Sequence, residues 1–420
     1  MKFFKKPLLP TLSFVMSAQF CSSLMSPVWV FLFFAMDSGV FPPHTALATR
    51  SLWYGITLGI SYWIGMLCNI FFGMISDCYG RKKLFLLTLI GFGLTSGLAL
   101  LAQALHQPCL LAISLIVIGS SFMAVQAGMA RVGDIGNPNT RLKDMAYLQC
   151  VVSVGATLGP WIGGYLATQS GVTGHLYQLP FIAVIVLSSI LLICLHYYPE
   201  ERATRALHTS LWRSSYFKEI QCILKNPAVR ICFMVLILSQ FSWSTYYEFA
   251  PAILKVLFHA NPLEVGRFEG MIALWLIVAT AFVLHGLRRF LSSPMLVRLC
   301  VLLVLLGVLM ALVASLNPSG FFERMLIWLS AIPTAMGDVM LYSVIVTTLS
   351  QALDSHLQGK VMGLLYVIIG ISWSLSGIWG GVLMSKIHNG PFWFAPVGSL
   401  VLLGLLCHQR WLALLTEGVK

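Results

Sequence analysis

Long apolar runs separated by short polar loops extend along almost the whole chain. Each run is about as long as the roughly 20 residues that a helix needs to cross the hydrocarbon core of a bilayer. We number these predicted spans 1 to 12. The first six lie near 8–36, 51–75, 84–104, 108–131, 144–168 and 177–198, and the last six near 229–257, 265–287, 296–316, 324–351, 359–385 and 392–415.

A polar stretch from Pro199 to about Ala228 separates the two sets of spans. The pattern therefore predicts an all-α membrane protein with twelve transmembrane helices in two pseudo-symmetric six-helix bundles. The expected domains are an N-terminal bundle (1–198), a cytoplasmic linker (199–228) and a C-terminal bundle (229–420). Two such halves are typical of carriers that rock around a site near the middle of the membrane.

Composition supports lipid as the solvent of this fold. Only 10% of the residues are charged and 58% are hydrophobic, whereas soluble domains carry about 25% charged residues. So few charges cannot cover a water-facing surface. We expect a multi-pass protein that contacts the lipid bilayer and acts as a monomer.

The basic residues predict how the chain is threaded. If the N-terminus is cytoplasmic, 21 of the 26 Lys and Arg residues fall on the cytoplasmic side. Cytoplasmic loops carry such an excess, and an even number of spans puts both termini on that side of a bacterial inner membrane. The net charge of +12 then reflects topology, not nucleic-acid binding. The outer five are Arg50, Lys255, Arg267, Arg324 and Lys386.

The loop between spans 2 and 3 carries a motif of glycines, one acid and bases. Its acid can face a helix N-terminus or pair with a base, so the motif predicts a latch that forms when the cytoplasmic side closes. The alternative is a plain basic loop. The motif residues are Gly73, Asp77, Gly80 and Arg81.

This stretch resembles the signature of the major facilitator superfamily, in which an Arg directly follows the Asp; Cys78 takes that place here. The resemblance implies alternating access, with the motif stabilising the outward-facing state. Asp134 and Arg141, at the end of span 4, match an acid and a base of the twelve-helix drug:proton antiporter branch. We expect them to belong to the same latch.

Span 5 carries a row of small residues that lets helices approach closely. Its order resembles the antiporter motif of the same drug:proton branch, which includes tetracycline efflux. The resemblance implies a helix-packing role and favours export. The motif residues are Gly155, Gly159, Pro160, Gly163 and Gly164.

Two residues that this branch uses for proton coupling are missing from the first half. Leu115 stands where the branch has an Arg early in span 4, and span 1 contains no acid, with Gln19 among its few polar residues. Coupling has then moved elsewhere, or the protein is not a proton antiporter.

Ionisable side chains within the spans are candidates for that role, because each costs about 2.5–3.5 kcal/mol to insert. Asp338 lies near the middle of span 10 and could carry a proton; the alternative is a carboxyl satisfied by Ser or Tyr hydroxyls. Glu248, near the outer end of span 7, either lines a vestibule or sits at the headgroup boundary. Gln240, Tyr246 and Tyr247 are further candidates for coupling or substrate binding.

These patterns predict a secondary active transporter of a small organic solute, with proton-coupled efflux as the main hypothesis. An importer, for example a siderophore or nutrient carrier, and a uniporter without proton coupling are the alternatives. An enzyme would need His, Asp or Cys clustered at one depth, and ATP-driven transport would need a phosphate-binding loop; neither is present. We predict no cofactor and no metal, and expect a small-molecule substrate and protons as partners.

Overall fold

The computed structural model describes residues 8–120, 124–135, 141–172, 177–198, 227–351 and 355–407. Every regular element in these ranges is a helix. Three are short, the 3-10 turn Met36–Ser38, the π-helical turn Ala279–Val283 and the helix Leu284–Leu287, and the thirteen longer helices are numbered α1 to α13 in chain order. The first seven are α1 Leu8–Phe34, α2 Leu47–Tyr79, α3 Arg81–Ala104, α4 Pro108–Ser120, α5 Ala124–Ile135, α6 Arg141–Val172 and α7 Leu179–His196. The remaining six are α8 Pro227–Val256, α9 Pro262–Val278, α10 Ser293–Leu316, α11 Phe321–Gln351, α12 Ser355–Lys386 and α13 Gly390–Cys407.

Ten helices of the described ranges are long and apolar enough to cross a membrane, and Pro108–Gly119 is a shorter apolar helix. Each of the twelve predicted spans overlaps at least one helix, and span 4 comprises α4 and α5. Helices suit this solvent because they satisfy their backbone hydrogen bonds internally. The predicted all-α membrane class is therefore confirmed.

The chain forms two compact units. Unit 1 comprises Met1–Ala206 together with Pro251–Leu274, and unit 2 comprises Leu207–Ala250 together with Trp275–Lys420. Unit 1 thus includes the end of α8 and most of α9, in addition to α1–α7. Residues 199–226 of the predicted linker lie outside the described residues, and the domain boundaries stay a prediction.

Within unit 1, α1 packs most extensively against α6. The contact depends on glycines spaced four residues apart on α6, because a Cβ at Gly155 would lie 2.9 Å from the Met16 carbonyl oxygen and a Cβ at Gly159 would lie 2.6 Å from Ser23 Cβ. Gly163 meets the Leu24 backbone in the same way. Small residues at such spacing let two membrane helices approach until their backbones touch.

Within unit 2, α10 packs most extensively against α11 and also contacts α13. Here too a glycine lies at the crossing, since a Cβ at Gly337 would lie 2.6 Å from the Cys300 carbonyl oxygen. Buried apolar residues of α10, α11 and α13, such as Val301, Leu341 and Leu402, form the core around this crossing.

The connection between α1 and α2 closes around Arg50, which is fully buried. Its guanidinium lies 5.2 Å from the Phe41 ring centroid. A buried charge needs hydrogen-bond partners, and backbone carbonyls provide them. The acceptors are the carbonyls of Phe33, Ala35, Pro42 and Thr45, at 3.0 to 3.3 Å.

Candidate functional site

Asp338 lies inside unit 2, near the middle of α11. It comes 17 residues after the start of this 31-residue helix, so about 25 Å along its axis, and only 7% of the residue is exposed. Gln240 of α8 donates a hydrogen bond from Nε2 to its Oδ1 at 2.8 Å. The carboxyl therefore has an amide as its hydrogen-bond partner. The alternative interpretation of the sequence was that a Ser or Tyr hydroxyl would satisfy this carboxyl.

Gln240 joins three helices through its two amide ends. While its nitrogen donates to Asp338 on α11, its Oε1 accepts a hydrogen bond from Trp373 Nε1 on α12 at 3.0 Å. We call these three residues the unit 2 relay. Because both ends of the amide are occupied by specific partners, the relay fixes how the carboxyl is presented within unit 2.

Glu248 extends this polar chain towards the C-terminal end of α8. It lies eight residues after Gln240, so about 12 Å farther along the helix. Its Oε2 accepts a hydrogen bond from Ser376 of α12 at 3.3 Å, and Ser376 also donates to the Trp373 carbonyl at 2.9 Å. Glu248 is 4% exposed.

The two tyrosines predicted with Glu248 have different environments. Tyr246 is fully buried, shares a hydrogen bond of 2.8 Å with Ser330 of α11 and stacks on Phe392 of α13, so it packs the helices of unit 2 together. Tyr247 is half-buried, and its ring centroid lies 5.6 Å from that of Trp373. Tyr247 therefore belongs beside the unit 2 relay, and Tyr246 does not.

The surroundings of Asp338 limit what its carboxyl can do. Among the described residues it has an amide partner and no Lys or Arg. An ionised carboxylate without a cation costs several kcal/mol in such a site. The group can therefore hold a proton, or pair with a positively charged solute that brings its own charge. Within the described ranges, no three His, Cys, Asp or Glu residues lie together as a metal site would require.

Gln19 and Leu115 lie in unit 1, in the two spans that lack the proton-coupling residues of the drug:proton branch. Gln19 is half-buried on the α6 side of α1, and its Nε2 donates to Ser23 Oγ of the same helix at 3.0 Å. Leu115 is buried, and its carbonyl accepts a hydrogen bond from Ser61 Oγ at 2.7 Å. The structure does not bring Gln19 together with the candidates on α8 and α11 in one unit.

The predicted latch is described only in part. Gly80 precedes α3 with φ of 89°, a left-handed conformation that glycine adopts without strain, and Arg81 is the first residue of α3. The other members lie in helices, but their side chains lie outside the described residues, so the latch stays a prediction. These members are Gly73, Asp77, Asp134 and Arg141.

The small residues of the span 5 motif face two different neighbours. Gly155, Gly159 and Gly163 face α1, as described above. Gly164 faces the Pro262 backbone of α9, and the Pro160 carbonyl faces Gly266, also of α9. All of these contacts lie within unit 1, and they agree with a helix-packing role.

Glu269 is a buried carboxyl that the sequence patterns above do not single out. It lies on α9, is 5% exposed, and its carboxyl lies beside the Ser26 side chain of α1. An acid inside the predicted span 265–287 was the available signal. The motif Asn261-Pro262-Leu263-Glu264 was a second signal, because it marks a helix start and so places Glu269 well inside the helix.

A small polar cluster of unit 1 lies between the end of α1 and the start of α7. The Tyr177 hydroxyl donates to Asp37 at 3.1 Å. Burial and the neighbouring Asp37 carboxylate raise the pKa of the Tyr177 phenol, so this hydroxyl stays protonated and keeps donating. Lys255 lies 4.8 Å from the Phe31 ring centroid.

Comparisons with known proteins agree on one family. The model of the Major Facilitator Superfamily matches residues 13–377. The chain is 24% identical over 353 residues to multidrug resistance protein 2 of Bacillus subtilis, covering 81% of this chain and 82% of that protein. It is 25% identical over 391 residues to the class H tetracycline resistance protein of Pasteurella multocida, covering 88% and 89%. Among solved structures, a D-xylose–proton symporter matches with a TM-score of 0.71 and 14% identity, covering 95% of this chain and 96% of that one.

Proposed function

The chain belongs to the Major Facilitator Superfamily, and from this premise we propose that it exports a small amphiphilic organic solute in exchange for protons. The family makes it a multi-pass membrane transporter, as the sequence motifs predict. The resemblance to drug:proton antiporters is also confirmed, since a multidrug and a tetracycline resistance protein are among its relatives. Direction, solute and coupling, together with a bacterial inner membrane and cytoplasmic termini, are our proposal.

The unit 2 relay is the observation that carries this proposal. Asp338 is a buried carboxyl at membrane depth with an amide partner and no cation among the described residues. A group of this kind is expensive to insert and marks a functional position in membrane proteins. It can take up a proton in one state of the cycle and release it in another, when water or a charged solute replaces the apolar surroundings.

The same chain of residues suits a positively charged amphiphile. Asp338 is connected to the Trp373 ring through Gln240, and Glu248 is connected to the Trp373 carbonyl through Ser376. The Tyr247 ring lies beside the Trp373 ring. Aromatic faces and carboxylates together attract organic cations. A solute that pairs with a carboxylate displaces its proton, which gives exchange in a fixed ratio.

The names of the relatives support export, because resistance to a toxic compound is achieved by moving it out of the cell. An importer remains the second candidate, since Leu115 stands where the antiporter branch has an Arg and span 1 contains no acid. A uniporter without proton coupling is the third.

A flux assay with purified carrier tests the proposal. Proteoliposomes that contain a pH-sensitive dye receive tetracycline, or tetraphenylphosphonium as a lipophilic cation, on one side. We expect solute entry to drive protons the other way. Protons that move with the solute indicate a symporter, and solute movement without protons indicates a uniporter; either result rejects the antiport proposal.

The variant Asp338→Asn tests the coupling residue in the same assay. We expect solute-driven proton flux to fall to background, because an amide cannot exchange a proton. Glu323→Gln is the matched control: it makes the same chemical change near the start of the same helix, where Glu323 accepts a hydrogen bond from Asn317, and it should leave the flux unchanged. A normal proton flux in Asp338→Asn would reject the assignment.

A further inference from the structure

The outer part of α9 contains a carboxyl that the proposed function does not use. A reciprocal pair of hydrogen bonds fixes the start of this helix: Glu264 accepts from the Asn261 backbone at 2.8 Å, and Asn261 accepts from the Glu264 backbone at 2.9 Å. Glu269 follows Pro262 by seven residues, so it lies about 10 Å along the helix from its outer start. It is therefore within the membrane-spanning part of α9 and not at its surface.

Glu269 lies where α9 touches α1 and α6 within unit 1. The Ser26 side chain of α1 lies beside its carboxyl. One residue further on, a Cβ at Gly270 would collide with the Trp161 ring of α6, and Trp161 Nε1 donates to the Arg267 carbonyl at 3.3 Å. This close contact, which we call the α9 docking contact, encloses the carboxyl and leaves it 5% exposed.

The second carboxyl oxygen, Oε2, has no hydrogen-bond partner among the described residues. An ionised carboxylate with one unpartnered oxygen in a site this buried costs several kcal/mol. A proton on the carboxyl removes the charge and with it the largest part of that cost.

Among the residues that the structure describes, no charged group around the α9 docking contact neutralises the charge of an ionised Glu269 carboxylate. On α9 itself, Arg267 is exposed and Glu264 caps the helix. On α8, Lys255 lies over the Phe31 ring. From the remaining elements, α1 contains no charged residue in Leu8–Phe34, Asp37 accepts from Tyr177, and Asp144 of α6 lies 17 residues from Trp161, about 25 Å along that helix.

We propose that Glu269 is a second proton-binding residue, and that it must be protonated for α9 to form its docking contact with α1 and α6. The inference rests on the proposed alternating-access cycle. The predicted C-terminal bundle (229–420) contains α9 and the predicted N-terminal bundle (1–198) contains α1 and α6, so rocking of the two bundles would open and close the contact during transport. When the contact opens, water reaches Glu269, and its protonated carboxyl releases the proton to the outer solution and becomes a carboxylate. When it closes, one carboxylate oxygen takes up one proton from that solution, and no other bond changes.

This linkage has a definite sign and size. Because the docked form holds one more proton than the open form, the ratio of docked to open protein falls as pH rises. For one linked proton the ratio changes by up to about tenfold per pH unit. Solute is not required for the effect, so it can be measured without transport.

A distance measurement between spin labels tests the proposal on the full chain in lipid nanodiscs. The labels replace Arg267 on α9 and Leu105 at the outer end of α3, both of which are exposed, in a background without native cysteines. Between pH 5.5 and 8.5 we expect the docked population to decline. Glu269→Gln should stay docked across the range, since an amide is neutral at every pH, whereas Glu269→Asp should keep the decline. A wild-type population that does not change with pH would overturn the proposal, as would a Glu269→Gln population that declines like the wild type.

Two further variants separate this proposal from the proposed function. Glu264→Gln changes an acid on the same helix while Gln can still cap it, and it should decline like the wild type. Asp338→Asn should also decline, although its solute-driven proton flux is lost. If Asp338→Asn removes the decline and Glu269→Gln does not, the linked proton binds in the unit 2 relay and the inference about Glu269 is wrong.

Discussion

In unit 1 the polar side chain that α1 turns towards α6, Gln19, bonds to Ser23 one turn away on its own helix. In unit 2, by contrast, Gln240 bonds to Asp338 and Trp373 on two other helices. Both units have a tight glycine crossing, α1 with α6 and α10 with α11. The difference indicates that the α1–α6 crossing of unit 1 consists of backbone contact, whereas α8, α11 and α12 of unit 2 are also joined through a buried carboxyl and an amide. The buried carboxyl of unit 1, Glu269, lies on α9 and not at the α1–α6 crossing.

The largest effect that we expect concerns the glycine crossing of unit 1. Gly163→Ala places a methyl group against the Leu24 backbone, which cannot give way as a side chain can. Overpacking of this kind costs about 1–3 kcal/mol, so we expect a clearly lower midpoint of thermal unfolding in detergent. Gly97→Ala, at a position with open space around the glycine, is the control and should change the midpoint little. Equal midpoints for the two variants would show that the α1–α6 contact is not close in solution.

The next effect concerns the relay of unit 2. Gln240→Leu leaves Asp338 buried without its amide partner, which costs about 1–3 kcal/mol of the free energy of unfolding. Ser239→Ala, one residue earlier, removes a hydroxyl that bonds only to its own helix at Leu236, and we expect a smaller loss. Thermal unfolding of the two purified variants measures the difference. If Ser239→Ala is the more destabilising, the cross-helix bonds are not what distinguishes unit 2.

The smallest effect is expected at Gln19. Its bond to Ser23 connects neighbouring turns of one helix, and such pairs contribute about 0.2–0.5 kcal/mol. We expect Gln19→Ala to keep both the unfolding midpoint and solute-driven proton flux close to those of the wild type. A loss of flux as complete as that of Asp338→Asn would place part of the coupling machinery at the α1–α6 crossing and break the comparison.

Much of this fold is predictable from the sequence because the bilayer sets the length of every apolar run. The depth of Asp338 is predictable for the same reason, since a position along a helix follows from the rise per residue. Its pairing with Gln240 is not, because side-chain contacts depend on the rotation of each helix about its axis, which residue spacing alone does not define. Arg50 illustrates the same limit: the threading predicted from the basic residues counts it on the outer side, but its burial against backbone carbonyls has no counterpart in the pattern.

Glu269 is not among the candidates from the sequence, for a reason that concerns the start of its helix. The apolar pattern starts the eighth span at 265, whereas the helix begins at Pro262, because Asn261 and Glu264 cap it reciprocally. Because the helix begins three residues earlier than the pattern predicts, the Glu269 carboxyl lies about 4.5 Å farther from the start of the helix than the pattern indicates. A helix start is set by local hydrogen bonds, and hydropathy does not detect them.

Arg50 has a consequence for how the protein is made. Every carbonyl that its guanidinium binds lies within 17 residues of it in the chain. Contacts between near neighbours form quickly, since little chain entropy is lost in closing them. The hairpin of α1 and α2 can therefore bury the Arg50 charge during biosynthesis, before the later helices have been synthesised.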